Sequence, residues 1–151
     1  MALIASPEQL LETLLQMPPA RAMQLTVGTY GDERLTLNAP LAPNVNDKGC
    51  AFGGSLSSVL TLSAWSLASL KLGEAGLAAE VYVQDSTVRY LAPLFSDLQA
   101  TAWLEPEQDW AGFVETLRTR GRARARLLAE VTLPEGGVAC SFEGRFVAKR
   151  G

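Results

Sequence analysis

From Cys50 to Leu70 the chain carries no charged residue. A run of that kind has to be buried, either in protein or in lipid. Seven hydroxyl side chains, from Ser55, Ser57 and Ser58 through Thr61, Ser63, Ser66 and Ser69, dilute its apolar content, so the lipid alternative is rejected. The expectation is a buried helix over residues 53–71, ~28 Å long at 1.5 Å per residue. Small or apolar residues stand on all its sides, so the rest of the chain must enclose it. Gly73 and Gly76 are expected to end it.

The entrance to this helix reads Asn46-Asp47-Lys48-Gly49-Cys50-Ala51-Phe52-Gly53-Gly54-Ser55. A glycine pair where a loop becomes a helix leaves backbone N–H groups bare at the positive end of the helix dipole. Such an end holds an anion, or an oxygen that becomes one during a reaction. The Asn46 amide can donate to the same oxygen. The plainer alternatives are an Asx turn at Asn46 and close helix packing at Gly53 and Gly54. The chain has no histidine. That removes Ser-His-Asp and Cys-His nucleophile systems and imidazole metal sites. Chemistry must then run on backbone amides, Asn, hydroxyls, carboxylates or Cys. Cys50 has no evident activating partner and reads as a small filler residue.

The flanking elements follow from periodicity. Ser6, Pro7 and Gln9 mark a helix start, Leu10, Leu11, Leu14 and Leu15 give its apolar stripe, and Met17-Pro18-Pro19 stops it, which makes residues 1–20 an N-terminal helical segment. Leu25 and Val27, a turn over Tyr30-Gly31-Asp32-Glu33, and Leu35, Leu37 and Ala39 predict a hairpin. Glu80 to Leu91 and Leu98 to Leu104 read as strands. Trp110, Phe113, Val114 and Leu117 have helical spacing, ended by Gly121. Two last strands alternate clearly. In the first, Ala123, Ala125 and Leu127 face one way and Arg122, Arg124 and Arg126 the other; in the second, Cys140, Phe142 and Phe146 oppose Ser141, Glu143 and Arg145. The class is α+β, with a long sheet wrapped on one apolar helix.

At 151 residues this is one domain by length. A net charge of −3 argues against nucleic-acid binding by bulk electrostatics. Two cysteines fit a reducing cytoplasm, and no basic segment followed by an apolar core suggests a secretory leader. No metal-binding constellation and no organic-cofactor motif is present.

The element order and the pattern Asn46, Gly49, Phe52, Gly53, Gly54 resemble the hot-dog fold of acyl-thioester enzymes, in which a bent antiparallel sheet of about six strands wraps one central helix. The resemblance spans roughly residues 23–149. Gly-Gly-Ser-Leu at 53–56 and the strand Asp85-Ser86-Thr87-Val88-Arg89-Tyr90-Leu91-Ala92-Pro93 are similar to the thioesterase-like family of the YiiD C-terminal domain type, which includes malonyl-acyl-carrier-protein decarboxylases. The resemblance implies a homodimer with sites at the subunit interface, dimer and tetramer being undivided by sequence, and an acyl thioester of acyl-carrier protein or coenzyme A as ligand.

One departure from the hot-dog pattern matters. Many hot-dog thioesterases carry an acid in the central helix, and the matching position here is Thr61. Hydrolysis needs an activated water or a nucleophile, which a Thr without a base supplies poorly. Loss of CO₂ from a malonyl thioester needs only oxyanion donors and a dry, uncharged pocket. The expected catalytic residues are therefore Asn46, Gly54 and Thr61. Phe52, Gly53, Ser55, Asp85 and Ser86 are expected to contact substrate. Asp85 is the base under a hydrolase reading, and its alternative is a paired or solvated strand acid. Thr61 could simply satisfy a carbonyl of its own helix, and Phe52 and Trp65 could be core. Arg122, Arg124 and Arg126 form either a solvated face or a dock for an acidic carrier protein or coenzyme A phosphates. Three functions are carried forward: malonyl-thioester decarboxylase, thioesterase, and acyl-thioester binding module.

Overall fold

The computed structural model describes residues 3–151; the first two residues of the expected N-terminal helical segment lie outside them. Helix α1 spans Pro7–Leu14, with the Ser6 hydroxyl accepting the Gln9 N–H at 3.2 Å. Pro18 and Pro19 do stop this helix, but they also open a second short one, α2, over Pro18–Ala22. A proline's missing N–H is no loss at a first helical position, so one residue pair serves as stop and start.

Strands β1 (Thr26–Gly31) and β2 (Arg34–Ala39) form the expected hairpin. Its turn residues Asp32 and Glu33 both have positive φ, 51° and 59°. After a loop and a 3₁₀ turn over Ala42–Asn44 comes the central helix α3, Gly53–Glu74. It runs past the expected end at Gly73, which lies inside it. A side chain at Gly73 would strike the Ile4 carbonyl, so this glycine lets the N-terminal arm cross the helix at close range. Strands β3 (Ala79–Tyr90) and β4 (Leu98–Leu104), helix α4 (Trp110–Arg120) and strands β5 (Arg122–Thr132) and β6 (Val138–Arg150) complete the chain.

All six strands form one antiparallel sheet in the order β1-β2-β4-β5-β6-β3. Its inner face is built from small and apolar residues. Ala123, Ala125, Leu127 and Ala129 of β5 pair with Ala148, Phe146, Gly144 and Phe142 of β6, and α3 lies across this surface. Small residues on both sides let backbone and helix approach closely. This is the hot-dog arrangement that the resemblance implied.

Helix α3 also runs alongside the edge strand β3. The Tyr90 ring stands beside Gly53 at one end, and Trp65 Nε1 donates to the Val81 carbonyl at 2.8 Å near the other. A bulge at Gln84 interrupts the pairing of β3 with β6. Before it, Val81 and Val83 share the inner face with Ala148 and Phe146; after it, Ser86, Val88 and Tyr90 share that face with Gly144, Phe142 and Cys140. At the far end of α3, Lys71 Nζ lies 5.9 Å from both the Tyr30 and Trp110 rings, and the Tyr30 hydroxyl donates to Glu74 at 2.8 Å. These contacts tie β1 and α4 to the helix.

Candidate functional site

The Asn-rich loop before α3 is a tight return. Val45 and Ala51 form a β-bridge, the Asn46 N–H donates to the Cys50 carbonyl at 2.8 Å, and the Phe52 N–H donates to the Asn44 carbonyl at 2.8 Å. Asn46 makes the Asx turn that its plainer reading expected: its Oδ1 accepts from Lys48 N–H at 2.8 Å and Cys50 N–H at 3.1 Å. The turn does not exclude the other role. With the oxygen held by two backbone amides, the amide group is fixed as well, and it donates to the weak acceptor Cys50 Sγ at 3.2 Å, a sulfur that also lies 3.6 Å from Oδ1. Asn46 is thus a donor held in one orientation.

Asn44, which sequence reasoning passed over, is the brace beneath this loop. It is 2% exposed, donates through Nδ2 to the Met23 and Pro40 carbonyls at 3.0 and 2.8 Å, and accepts from the Ser55 hydroxyl at 2.8 Å. Ser55 is therefore turned inward to Asn44, away from the place where substrate was expected. The signal for Asn44 was its position between Pro43 and a bridge residue, where a loop needs internal polar partners.

Helix α3 begins without a side-chain cap, because its N-cap residue is Phe52. Its first intrahelical hydrogen bond runs from Leu56 N–H to Phe52 C=O at 3.0 Å, and among the described residues no acceptor meets the N–H groups of Gly53, Gly54 or Ser55. Tyr90 reaches the same place from β3, its hydroxyl donating to the Gly53 carbonyl at 3.3 Å. Sequence reasoning missed this contact, although Tyr90 stood in the strand that carried the resemblance.

Beyond the glycines, a half-buried stripe of α3 stays open: Ser57, Ser58, Thr61, Leu62 and Trp65. Thr61 Oγ1 donates to the Ser57 carbonyl at 2.8 Å, as its plainer reading expected, and Ser57 Oγ to the Gly54 carbonyl at 3.1 Å. Thr61 nonetheless lines a groove of about 640 Å³ between α3 and the α1–α2 corner, with Met17, Pro19, Met23 and Leu62. No charged residue lines this groove.

Asp85 and Ser86 part company. Ser86 is on the inner face, but Asp85 lies on the outer face, opposite Arg145 and ion-paired with it. The Arg145 guanidinium holds the Asp85 carboxyl below the usual carboxylate range. This is the paired strand acid of the alternative reading. The three arginines also sit on the outer face, all exposed. Arg126 pairs with Glu143 at 3.0 Å and Arg124 donates to Gln84 at 3.0 Å. Arg122 and Arg124 share a shallow recess with Lys149 and Tyr82. Among the described residues no cluster of Cys, Asp and Glu is set out to hold a metal ion, and no helix is long and apolar enough to cross a membrane.

A family model with the description "Putative thioesterase (yiiD_Cterm)" matches residues 8–150. The chain belongs to this family. Among solved structures, a protein of unknown function from Chlorobaculum tepidum TLS is 29% identical, with a TM-score of 0.86 over 97% of this chain and 98% of that one. A "putative thioesterase" from Shewanella oneidensis is 25% identical, with a TM-score of 0.85 over 95% and 96% of the two chains. A thioesterase from Haemophilus influenzae, 16% identical with a TM-score of 0.76 over 96% and 91%, shares the fold. In this member of the YiiD C-terminal family, bare helix amides and an oriented Asn46 stand beside a helix that carries no acid between Gly53 and Leu70.

Proposed function

We propose that the protein removes CO₂ from a malonyl thioester, malonyl-acyl-carrier protein or malonyl-CoA, and leaves the acetyl thioester for fatty-acid synthesis in the cytoplasm. The observation that carries this reading is the pairing of oxyanion donors with a central helix that carries no acid between Gly53 and Leu70. The C–C bond to the carboxylate breaks, its electron pair passes into the thioester carbonyl, and the resulting enolate oxygen is met by the Asn46 amide and the amides at Gly53 and Gly54. CO₂ leaves, and the α-carbon then takes a proton from water. Nothing in this sequence needs a general base. The outward, Arg145-paired Asp85 supports it, because the best base available to a hydrolase faces away from the helix.

The active unit is proposed to be a homodimer. β3 is an edge strand, and Phe52, Tyr90, Leu91 and Phe95 are large apolar side chains left exposed around the start of α3. An unpaired edge beside an apolar patch favours a second copy of the chain. Arg122 and Arg124, with Lys149 rather than the already paired Arg126, are proposed as the dock for an acidic carrier protein.

A second reading has its own support. The uncharged groove beside Thr61 offers more room than a malonyl group requires, which suits hydrolysis of a longer acyl thioester and agrees with the family's description. The test is mass spectrometry of malonyl-carrier protein after incubation with wild type and Asn46→Asp. Asp keeps the oxygen that Lys48 and Cys50 hold but loses the N–H donor. Wild type is expected to yield acetyl-carrier protein, and the variant to be slower by about 10²–10³. Free-thiol carrier protein without an acetyl form would favour the hydrolase, and tight binding with no turnover a binding module.

A further inference from the structure

Phe52 precedes α3 yet makes no capping bond, and it is 54% exposed. Its ring nonetheless has a seat. It lies against Gly54, with Cζ 2.9 Å and Cδ2 3.1 Å from the point where a Cβ on Gly54 would stand. A side chain at Gly54 would force the ring to move from this position. Gly53 is different: a Cβ there would meet the Tyr90 ring at an ordinary 3.5 Å. An oxyanion contact does not explain this contrast, since alanine has the same backbone N–H as glycine. The two glycines thus have separate reasons to be glycine.

We propose that Gly54 is glycine in order to seat the Phe52 ring, and that the seated ring shields the thioester carbonyl carbon from attack by water at the start of α3, while the α-carbon side, from which the proton comes, stays open to solvent. The proposal rests on the decarboxylase reading and adds what decides between two fates of one substrate. In the first, the carboxylate leaves as CO₂ and the acyl C–S bond survives. In the second, a water oxygen bonds to the thioester carbonyl carbon, the C–S bond breaks, and the thiolate leaves and is protonated. A wall of hydrocarbon beside the amides disfavours the second route by excluding its nucleophile, and favours the first by leaving the substrate carboxylate poorly solvated. Phe52 is a positioning residue in this account, and Gly54 acts through it.

The experiment is a double-mutant cycle on the full chain. Malonyl-carrier protein is incubated with wild type, Phe52→Ala, Gly54→Ala, the double variant and Phe52→Leu. Acetyl and free-thiol products are quantified by mass spectrometry, with circular dichroism and size-exclusion chromatography on each variant to establish fold and assembly. Each Ala variant should lower the acetyl-to-thiol ratio by about tenfold or more through kcat for the acetyl product, with KM changed by less than about two-fold. The double variant should be no worse than either single one, because Gly54→Ala has nothing to displace once the ring is gone. Phe52→Leu should recover most of the ratio. Losses that multiply in the double variant, or a ratio unmoved by Phe52→Ala, would overturn the proposal while leaving the decarboxylase reading in place. A wild-type protein that releases only thiol would overturn that reading and this proposal with it.

Discussion

Asn46 and Asp85 are both short polar side chains in stretches that a sequence reading singles out, and their surroundings give them opposite prospects. Asn46 is held by its oxygen and offers its amide. Asp85 is held by Arg145 on the outer face of the sheet. Because Arg145 lowers its pKa in the folded state, the pair's contribution is present above the ordinary carboxylate range and is lost as pH falls through the lowered value. Between about pH 5 and 8 the carboxylate does not change its charge and cannot shape a pH–rate profile there. Asp85→Asn is therefore expected to change kcat/KM by less than about two-fold and to leave the shape of the pH profile between these values as it is in the wild type. A loss of two orders of magnitude or more, measured on malonyl or longer acyl thioesters, would restore it as a base.

At the scale of elements, the amphipathic pieces were legible and the irregular ones were not. Uncharged residues located α3, alternation located β5 and β6, and helical spacing located α4, because burial on one face writes a period into the sequence. The second role of Pro18 escaped because one signal marks both a stop and a start. The bulge in β3 did leave a trace: the apolar phase passes from Val81 and Val83 to Val88 and Tyr90, odd positions to even. Without that change of phase, Asp85 would share the inner face with Val81 and Val83. Asn44 and Ser55 escaped for another reason, since polar residues that satisfy each other in the interior carry no period. β3 and the segment after it also bear a prediction. Leu91 is 58% exposed and its N–H is held by the Ala139 carbonyl, so Leu91→Glu should fold as the wild type does. If the patch is where two copies meet, burial of a Leu side chain is worth about 1.5–3 kcal/mol, and the variant should associate about tenfold or more weakly in sedimentation equilibrium. An unaltered association constant would move the interface elsewhere.

Over the whole molecule, charge is spread unevenly. The net charge is −3, yet Arg118, Arg120, Arg122, Arg124, Lys149 and Arg150 gather where α4 ends, β5 begins and β6 finishes. Arg118 is paired with Glu115, and its carbonyl accepts from Arg150. Arg122 and Arg124 border the shallow recess and form no ion pair among the described residues. Exposed charges of this kind act mainly on encounter, and salt screens them. Arg124→Glu should raise KM for a carrier-protein thioester several-fold and flatten its dependence on ionic strength, while leaving turnover of a small pantetheine thioester as it was. An unchanged salt dependence would make the basic corner an ordinary solvated surface.

The unpaired residue in β3 also sets a rule for how the chain can vary. Because Gln84 already offsets the strand by one position, a single insertion or deletion between it and Tyr90 would exchange inside for outside along that whole stretch, sending the Tyr90 hydroxyl away from Gly53 and turning Arg89 toward the helix. The spacing there is as binding as the residues themselves: a substitution alters one contact, whereas a change of length by one resets the whole stretch.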